Sequence, residues 1–131
     1  MAEQGFMKDV IRIVVAEDND DLRALLAPLI NEEPDLNCAA STAYLDEVSP
    51  LIVQHQAHIA VLDMQLRGGS VLPRLPALCR DHAATRFIIH SGHANPELMR
   101  KAHEAGAGAY VLKSGEIDEL IVAIRKLMAR E

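Results

Sequence analysis

Apolar residues along this chain fall into short unbroken runs, and between them lie longer stretches in which apolar positions recur at helical spacing. The first run, Val10 to Ala16, is rich in β-branched residues and stops abruptly at Glu17, Asp18, Asn19, Asp20 and Asp21, which predicts a buried strand running into an acidic loop. Leu22, Leu25, Leu26, Leu29 and Ile30 then predict a helix with Asp20 or Asp21 as its N-cap. Pro28 predicts a kink or an early end, because an interior proline costs about 3 kcal/mol. Leu36 to Ala40 reads as a second strand, and Ala43 to Gln56 as a helix interrupted at Ser49-Pro50.

The second half repeats the alternation. His58 to Leu62 is an apolar run ending in Asp63 and a loop with Gly68-Gly69, after which a leucine-rich helix passes through Leu75 and Leu78, with Pro73 and Pro76 making its start late or irregular. Arg86 to His90 reads as a strand ending at Ser91-Gly92. Asn95-Pro96 supplies an N-cap and a first-turn proline, and Gly106 a C-cap. Ala109 to Leu112 is a fifth strand ending at Lys113. The stripe Ile117, Leu120, Ile121, Ile124, Leu127 and Met128 predicts a last helix, with acidic residues in its first turn and Arg125, Lys126 and Arg130 near its end, an arrangement that complements the helix dipole. Strands alternating with helices predict an α/β fold, a parallel sheet with helices on both faces. We divide the chain into a flexible amino-terminal segment, 1–9, and one domain, 10–131.

Composition narrows this further. In 131 residues half are apolar and aromatics make up only 3%, so the core is aliphatic. A net charge of −6 disfavours binding of nucleic acid or anionic membranes by this chain alone. Cys38 and Cys79 have no metal-ligand spacing and read as buried core thiols in a reducing, cytoplasmic setting. Residues 1–9 lack the apolar region of a signal peptide and no stretch approaches the roughly 18 apolar residues of a membrane span, so neither export nor membrane insertion is expected.

In a parallel sheet the carboxyl ends of all strands open on one edge, where ligands bind near the reversal of strand order. Glu17 and Asp18 follow strand one, Asp63 strand three, Ser91 strand four and Lys113 strand five, so all are expected in one pocket. Crowded carboxylates repel one another unless a cation is present, and Mg²⁺ suits such a donor set because it accepts one or two carboxylates, a carbonyl and waters. A lysine charge and a serine hydroxyl beside it suit a transferring phosphoryl group, with Asp63 as the nucleophile. The blander readings are a solvated loop position for any one carboxylate, a core aromatic for Tyr110, and a rim or core residue without catalytic part for His90 and His93.

Taken together, Ile11 to Asp18, Ile59 to Asp63, Ile88 to Gly92 and Gly108 to Lys113 resemble the receiver domain of two-component response regulators, over nearly all of residues 10 to 129. The resemblance implies a flavodoxin-like sheet of order 2-1-3-4-5, phosphotransfer from a histidine kinase or histidine phosphotransfer protein, and Mg²⁺ held by Glu17 or Asp18, Asp63 and the Gln65 backbone carbonyl. It also implies that Ser91 and Tyr110 form a switch pair whose motion reshapes the face of helix four, strand five and helix five for a downstream protein; a homodimer is a possible assembly. This chain departs from the family pattern at Arg67, where a proline is usual, and at Ser114-Gly115, where a proline commonly follows the lysine. Alternatives are a receiver fragment of a helix-turn-helix transcription regulator, a receiver-like protein that only binds partners, and a Mg²⁺-dependent aspartyl-phosphate phosphatase. The last expects an acid two residues after the nucleophile, where Gln65 stands.

Overall fold

The sheet follows directly from the apolar runs. In a computed structural model, which describes residues 10–129, five parallel strands form: β1 (Ile11–Ala16), β2 (Leu36–Thr42), β3 (Ile59–Leu62), β4 (Arg86–Ser91) and β5 (Ala109–Leu112). They are hydrogen-bonded in the order 2-1-3-4-5, as the resemblance implies. The expected flexible segment 1–9 and the last two residues lie outside the described residues.

Each strand is sandwiched, and its alternating side chains feed two cores. Val14, Ala16, Ala60, Leu62, Phe87 and Ile89 pack on one face against α2 (Leu45–His55), α3 (Leu75–Asp81) and α4 (Pro96–Ala105). Ile13, Val15, Ile59, Val61, Ile88 and Val111 pack on the other against α1 (Asp20–Asn31) and α5 (Ile117–Ala129). Burial on both faces explains why the strands read as continuous apolar runs rather than alternating ones.

Several local expectations are corrected. The N-cap of α1 is Asn19, whose side chain accepts from the Leu22 N–H at 2.8 Å, while Asp20 and Asp21 occupy the first turn. Neither Pro28 nor Ser49-Pro50 breaks its helix: α1 runs on to Asn31 and α2 spans Leu45 to His55. The carbonyls left without a helical donor, those of Ala24 and Asp46, belong to exposed residues, where solvent can take the place of the missing N–H. Cys38 and Cys79 are free and only half-buried. In contrast, Asn95 caps α4 as expected, accepting from Glu97 and Leu98, and Gly106 ends it with φ +118°. The start of α3 is irregular: a 3-10 turn, Leu72–Arg74, leads into it.

Between β3 and that turn the chain forms a small antiparallel hairpin whose arms are Gln65–Leu66 and Gly69–Ser70. Gly68 and Gly69 at its bend have φ +102° and +148°, values that side chains with a Cβ rarely adopt.

Candidate functional site

The strand register delivers the site. Ala16 pairs with Leu62, Leu62 with Ile89, and Ser91 with Leu112, so the residues just past these strands share one edge of the sheet. Their backbones are still tied to neighbouring strands: Glu17 N–H to Thr42 at 2.9 Å, Asp63 N–H to Ala16 at 2.9 Å and Lys113 N–H to Ser91 at 2.7 Å. The sheet, rather than a free loop, therefore fixes where these side chains start.

Carboxylate oxygens of Glu17, Asp18 and Asp63 all lie within 4.8 Å of one another. Lys113 Nζ bridges two of them, 2.9 Å from Glu17 Oε1 and 3.1 Å from Asp63 Oδ2. Glu17 is only 1% exposed and Asp63 8%. Glu17 Oε2 accepts from the Asn19 N–H at 3.0 Å, but Oε1 has no aligned hydrogen-bond donor beyond its ion-pair contact with Lys113. A buried carboxylate oxygen with spare lone pairs, beside two further carboxylates, fits a hard cation that takes oxygen ligands. The spread suits an ion that holds some of these groups directly and others through water, so Glu17, Asp18 and Asp63 could hold Mg²⁺. Burial alone would lower the Lys113 pKa, but Glu17 and Asp63 outweigh it and hold the ammonium above the ordinary lysine value.

Gln65 stands on the first hairpin arm, exposed, with its side-chain oxygen accepting from the Ser70 hydroxyl at 2.8 Å. Ser91 is 1% exposed; its Oγ accepts from the His93 N–H at 3.1 Å, which leaves the hydroxyl proton to donate elsewhere. Tyr110 is half-buried against the α2–α4 core and donates its hydroxyl to the His93 carbonyl at 2.8 Å. The His93 N–H thus rests on Ser91 and the His93 carbonyl on Tyr110, so the two peptide groups that flank the His93 Cα are each held by a hydroxyl. The peptide after Lys113 is trans, like every other among the described residues.

His90 is buried, and its pKa is pushed down to about 4, by burial first and then by the Lys113 charge, against the opposing pull of Asp63. The unfolded imidazole titrates near 6.5, so the unfolded chain takes up the proton first. Stability that is present above about pH 6.5 is lost progressively as the pH falls towards about 4, by about 3 kcal/mol from this group. Urea unfolding across that interval should show a steeper loss in the wild type than in His90→Gln; equal slopes would refute this assignment.

Two arginines were not foreseen as part of the site. Arg23, on α1, donates to the Glu17 carbonyl at 3.0 Å, and Arg67, at the hairpin bend, donates to the Asp18 carbonyl at 3.1 Å. Arg23 stands six residues past Glu17, within reach on the first turns of a helix, but nothing local in sequence marks Arg67 as its counterpart.

The response regulator receiver domain family matches residues 13–125. The chain belongs to this family of phosphoacceptor signalling domains in two-component systems. It is 31% identical over 117 residues to the transcriptional regulatory protein YvfU of Bacillus subtilis, covering 89% of this chain and 58% of that protein. With the transcriptional regulatory protein DesR of the same organism the identity is 27%, over 91% of this chain and 59% of the relative. Among solved structures, a LuxR-family DNA-binding response regulator from Staphylococcus aureus superposes with a TM-score of 0.83 at 28% identity, covering 90% of this chain and 98% of that one. A LuxR-family two-component response regulator from Aurantimonas gives 0.85 at 29% identity, over 92% and 86%. The chain spans somewhat over half the length of these curated relatives. Among the described residues no helix is long and apolar enough to cross a membrane.

Proposed function

We propose that this chain is a phosphoryl-accepting switch in which Asp63 takes a phosphoryl group from a histidine kinase or histidine phosphotransfer protein in the cytoplasm. The observation that carries this reading is the convergence of Glu17, Asp18 and Asp63 within 4.8 Å, with Lys113 against two of them. An Asp63 carboxylate oxygen forms the new bond to phosphorus as the bond from phosphorus to the donor imidazole nitrogen breaks, and the electron pair stays on that nitrogen. Glu17, Asp18, Asp63 and the Gln65 carbonyl would hold Mg²⁺, which would supply charge neutralisation for the phosphoryl oxygens. Lys113 contributes a fixed cation already oriented by Glu17, so little reorganisation accompanies transfer.

Release of the signal runs through Ser91 and Tyr110. A phosphoryl oxygen accepting the Ser91 hydroxyl draws that side chain towards Asp63, the His93 N–H is freed, and the Tyr110 ring leaves the His93 carbonyl and turns inward. The face made by α4, β5 and α5 then presents a different surface to a downstream protein or to a second copy of the chain. The phosphoryl group shifts this equilibrium only by its differential interaction with the two arrangements.

Incubating the protein with a small acyl-phosphate donor, such as acetyl phosphate, should yield a single phosphoryl adduct by intact-mass spectrometry. The adduct should need Mg²⁺ and vanish with a chelator. No adduct, or one indifferent to the metal, overturns the reading. A second reading, a receiver that passes its signal to a DNA-binding segment of a longer transcription regulator, is favoured by the names of the relatives and by the 58% of the first one's length that is matched. The full reading frame decides between the two.

A further inference from the structure

The acidic loop of the site is held from two sides by arginines. From α1, Arg23 Nη1 donates to the Glu17 carbonyl at 3.0 Å and Nη2 to Asp20 Oδ1 at 2.8 Å. From the hairpin bend, Arg67 Nη2 donates to the Asp18 carbonyl at 3.1 Å and to the same Asp20 oxygen at 2.9 Å. Arg67 is itself immobilised. Its N–H donates to the Ala43 carbonyl and its carbonyl accepts from the Leu45 N–H, both at 2.9 Å, and its guanidinium stands 5.7 Å from the Tyr44 ring centroid. A proline at position 67 has neither the N–H for Ala43 nor a side chain for Asp18.

We propose that Arg67 is a positioning residue for the divalent-cation site, setting the backbone of Asp18 from the loop that follows the phosphoacceptor. This inference rests on the reading of Glu17, Asp18 and Asp63 as the Mg²⁺ site. Two effects of Arg67 oppose each other. Its charge repels a cation, whereas its hydrogen bonds hold a ligand-bearing residue in register. Asp20 offsets that charge only in part, because Arg23 shares the same carboxylate oxygen, but solvent screens both Arg67 and Asp20, which are 43% and 64% exposed. Positioning therefore dominates, and loss of such an outer partner weakens metal binding by about tenfold, the lower end of the usual range.

The test is Mg²⁺ titration by isothermal calorimetry of the wild type, Arg67→Ala and Arg67→Gln, together with acetyl-phosphate phosphorylation rates at varied Mg²⁺. Expected are an approximately tenfold weaker Kd for Arg67→Ala, a smaller loss for Arg67→Gln, and a raised half-saturating Mg²⁺ with the rate at saturating Mg²⁺ unchanged. A change only in thermal stability, or a Kd equal to or tighter than the wild type, overturns the inference. Should Arg67→Ala not fold, Arg67→Gln decides by the same criteria. Absence of Mg²⁺ binding by the wild type overturns the metal-site reading and this inference with it. Binding by the wild type that is unaltered in the variants overturns this inference alone.

Discussion

Asp63→Ala abolishes phosphoryl uptake and at the same time leaves the metal-free protein at least as stable as the wild type. The first outcome follows because no other carboxylate in the cluster is placed to replace the lost nucleophile: Glu17 is buried against Lys113 and tied to the Asn19 N–H, and the Asp18 backbone is held by Arg67. The second follows from charge. Three carboxylates share the pocket with one ammonium, so removing one relieves repulsion, and Lys113 keeps Glu17 as its partner. Ligand binding stabilises a fold by about 2.7 kcal/mol at a hundredfold excess over Kd, and that Mg²⁺-dependent rise in melting temperature should shrink in the variant. Intact mass and thermal melts with and without Mg²⁺ read both effects. An adduct retained in Asp63→Ala would falsify the assignment of the nucleophile, and a marked loss of metal-free stability would refute the charge argument.

Lys113→Ala has the second large effect, with the opposite sign on stability. Without the ammonium, Glu17 Oε1 is left buried with no cation nearby, and Asp63 faces it uncompensated. Removing one member of a buried pair costs about 3–5 kcal/mol; because Lys113 is 22% exposed, we expect a loss of about 2 kcal/mol, largely restored by Mg²⁺. Phosphorylation slows about 100-fold, the usual consequence of deleting one preorganised charge at a transferring group. Denaturant unfolding with and without Mg²⁺ and adduct formation over time measure these. A variant as stable as the wild type, or one phosphorylated at the wild-type rate, contradicts the role given to this lysine.

The pocket was legible from sequence because its residues sit where apolar runs end. A strand buried on both faces leaves no ambiguity about where it stops, and in a parallel sheet every such stop is on the same edge. On that ground Glu17, Asp18, Asp63, Ser91 and Lys113 are expected at one edge, and there the structure brings the three carboxylates within 4.8 Å of one another with Lys113 against two of them. It could not foresee that Glu17 would be more deeply buried than Asp63, because burial at a strand end depends on what the neighbouring loops cover.

Other features were hidden for the same kind of reason. Pro28 reads as a kink or an early end and Ser49-Pro50 as an interruption, yet both helices continue past them, because packing of their apolar faces outweighs one lost hydrogen bond in each. The hairpin beyond Asp63 has only two residues per arm, too few for a periodic signal. It is anchored by the Tyr44–Arg67 bridge, a contact between segments far apart in sequence. Asn19 caps α1 in place of its acidic neighbours, with its side chain on the Leu22 N–H and its own N–H on Glu17. Asparagine and aspartate suit that position about equally, so sequence could not choose between them.

The two peptide groups that meet at the His93 Cα are gripped separately, one at its N–H by Ser91 and the next at its carbonyl by Tyr110. Ser91 and Tyr110 lie on adjacent strands, so a single loop residue links the two. Both grips fall on main-chain atoms, which every amino acid except proline possesses in full. The imidazole at position 93, exposed on the loop, takes no part in either hydrogen bond, so this side chain can change without loosening either grip.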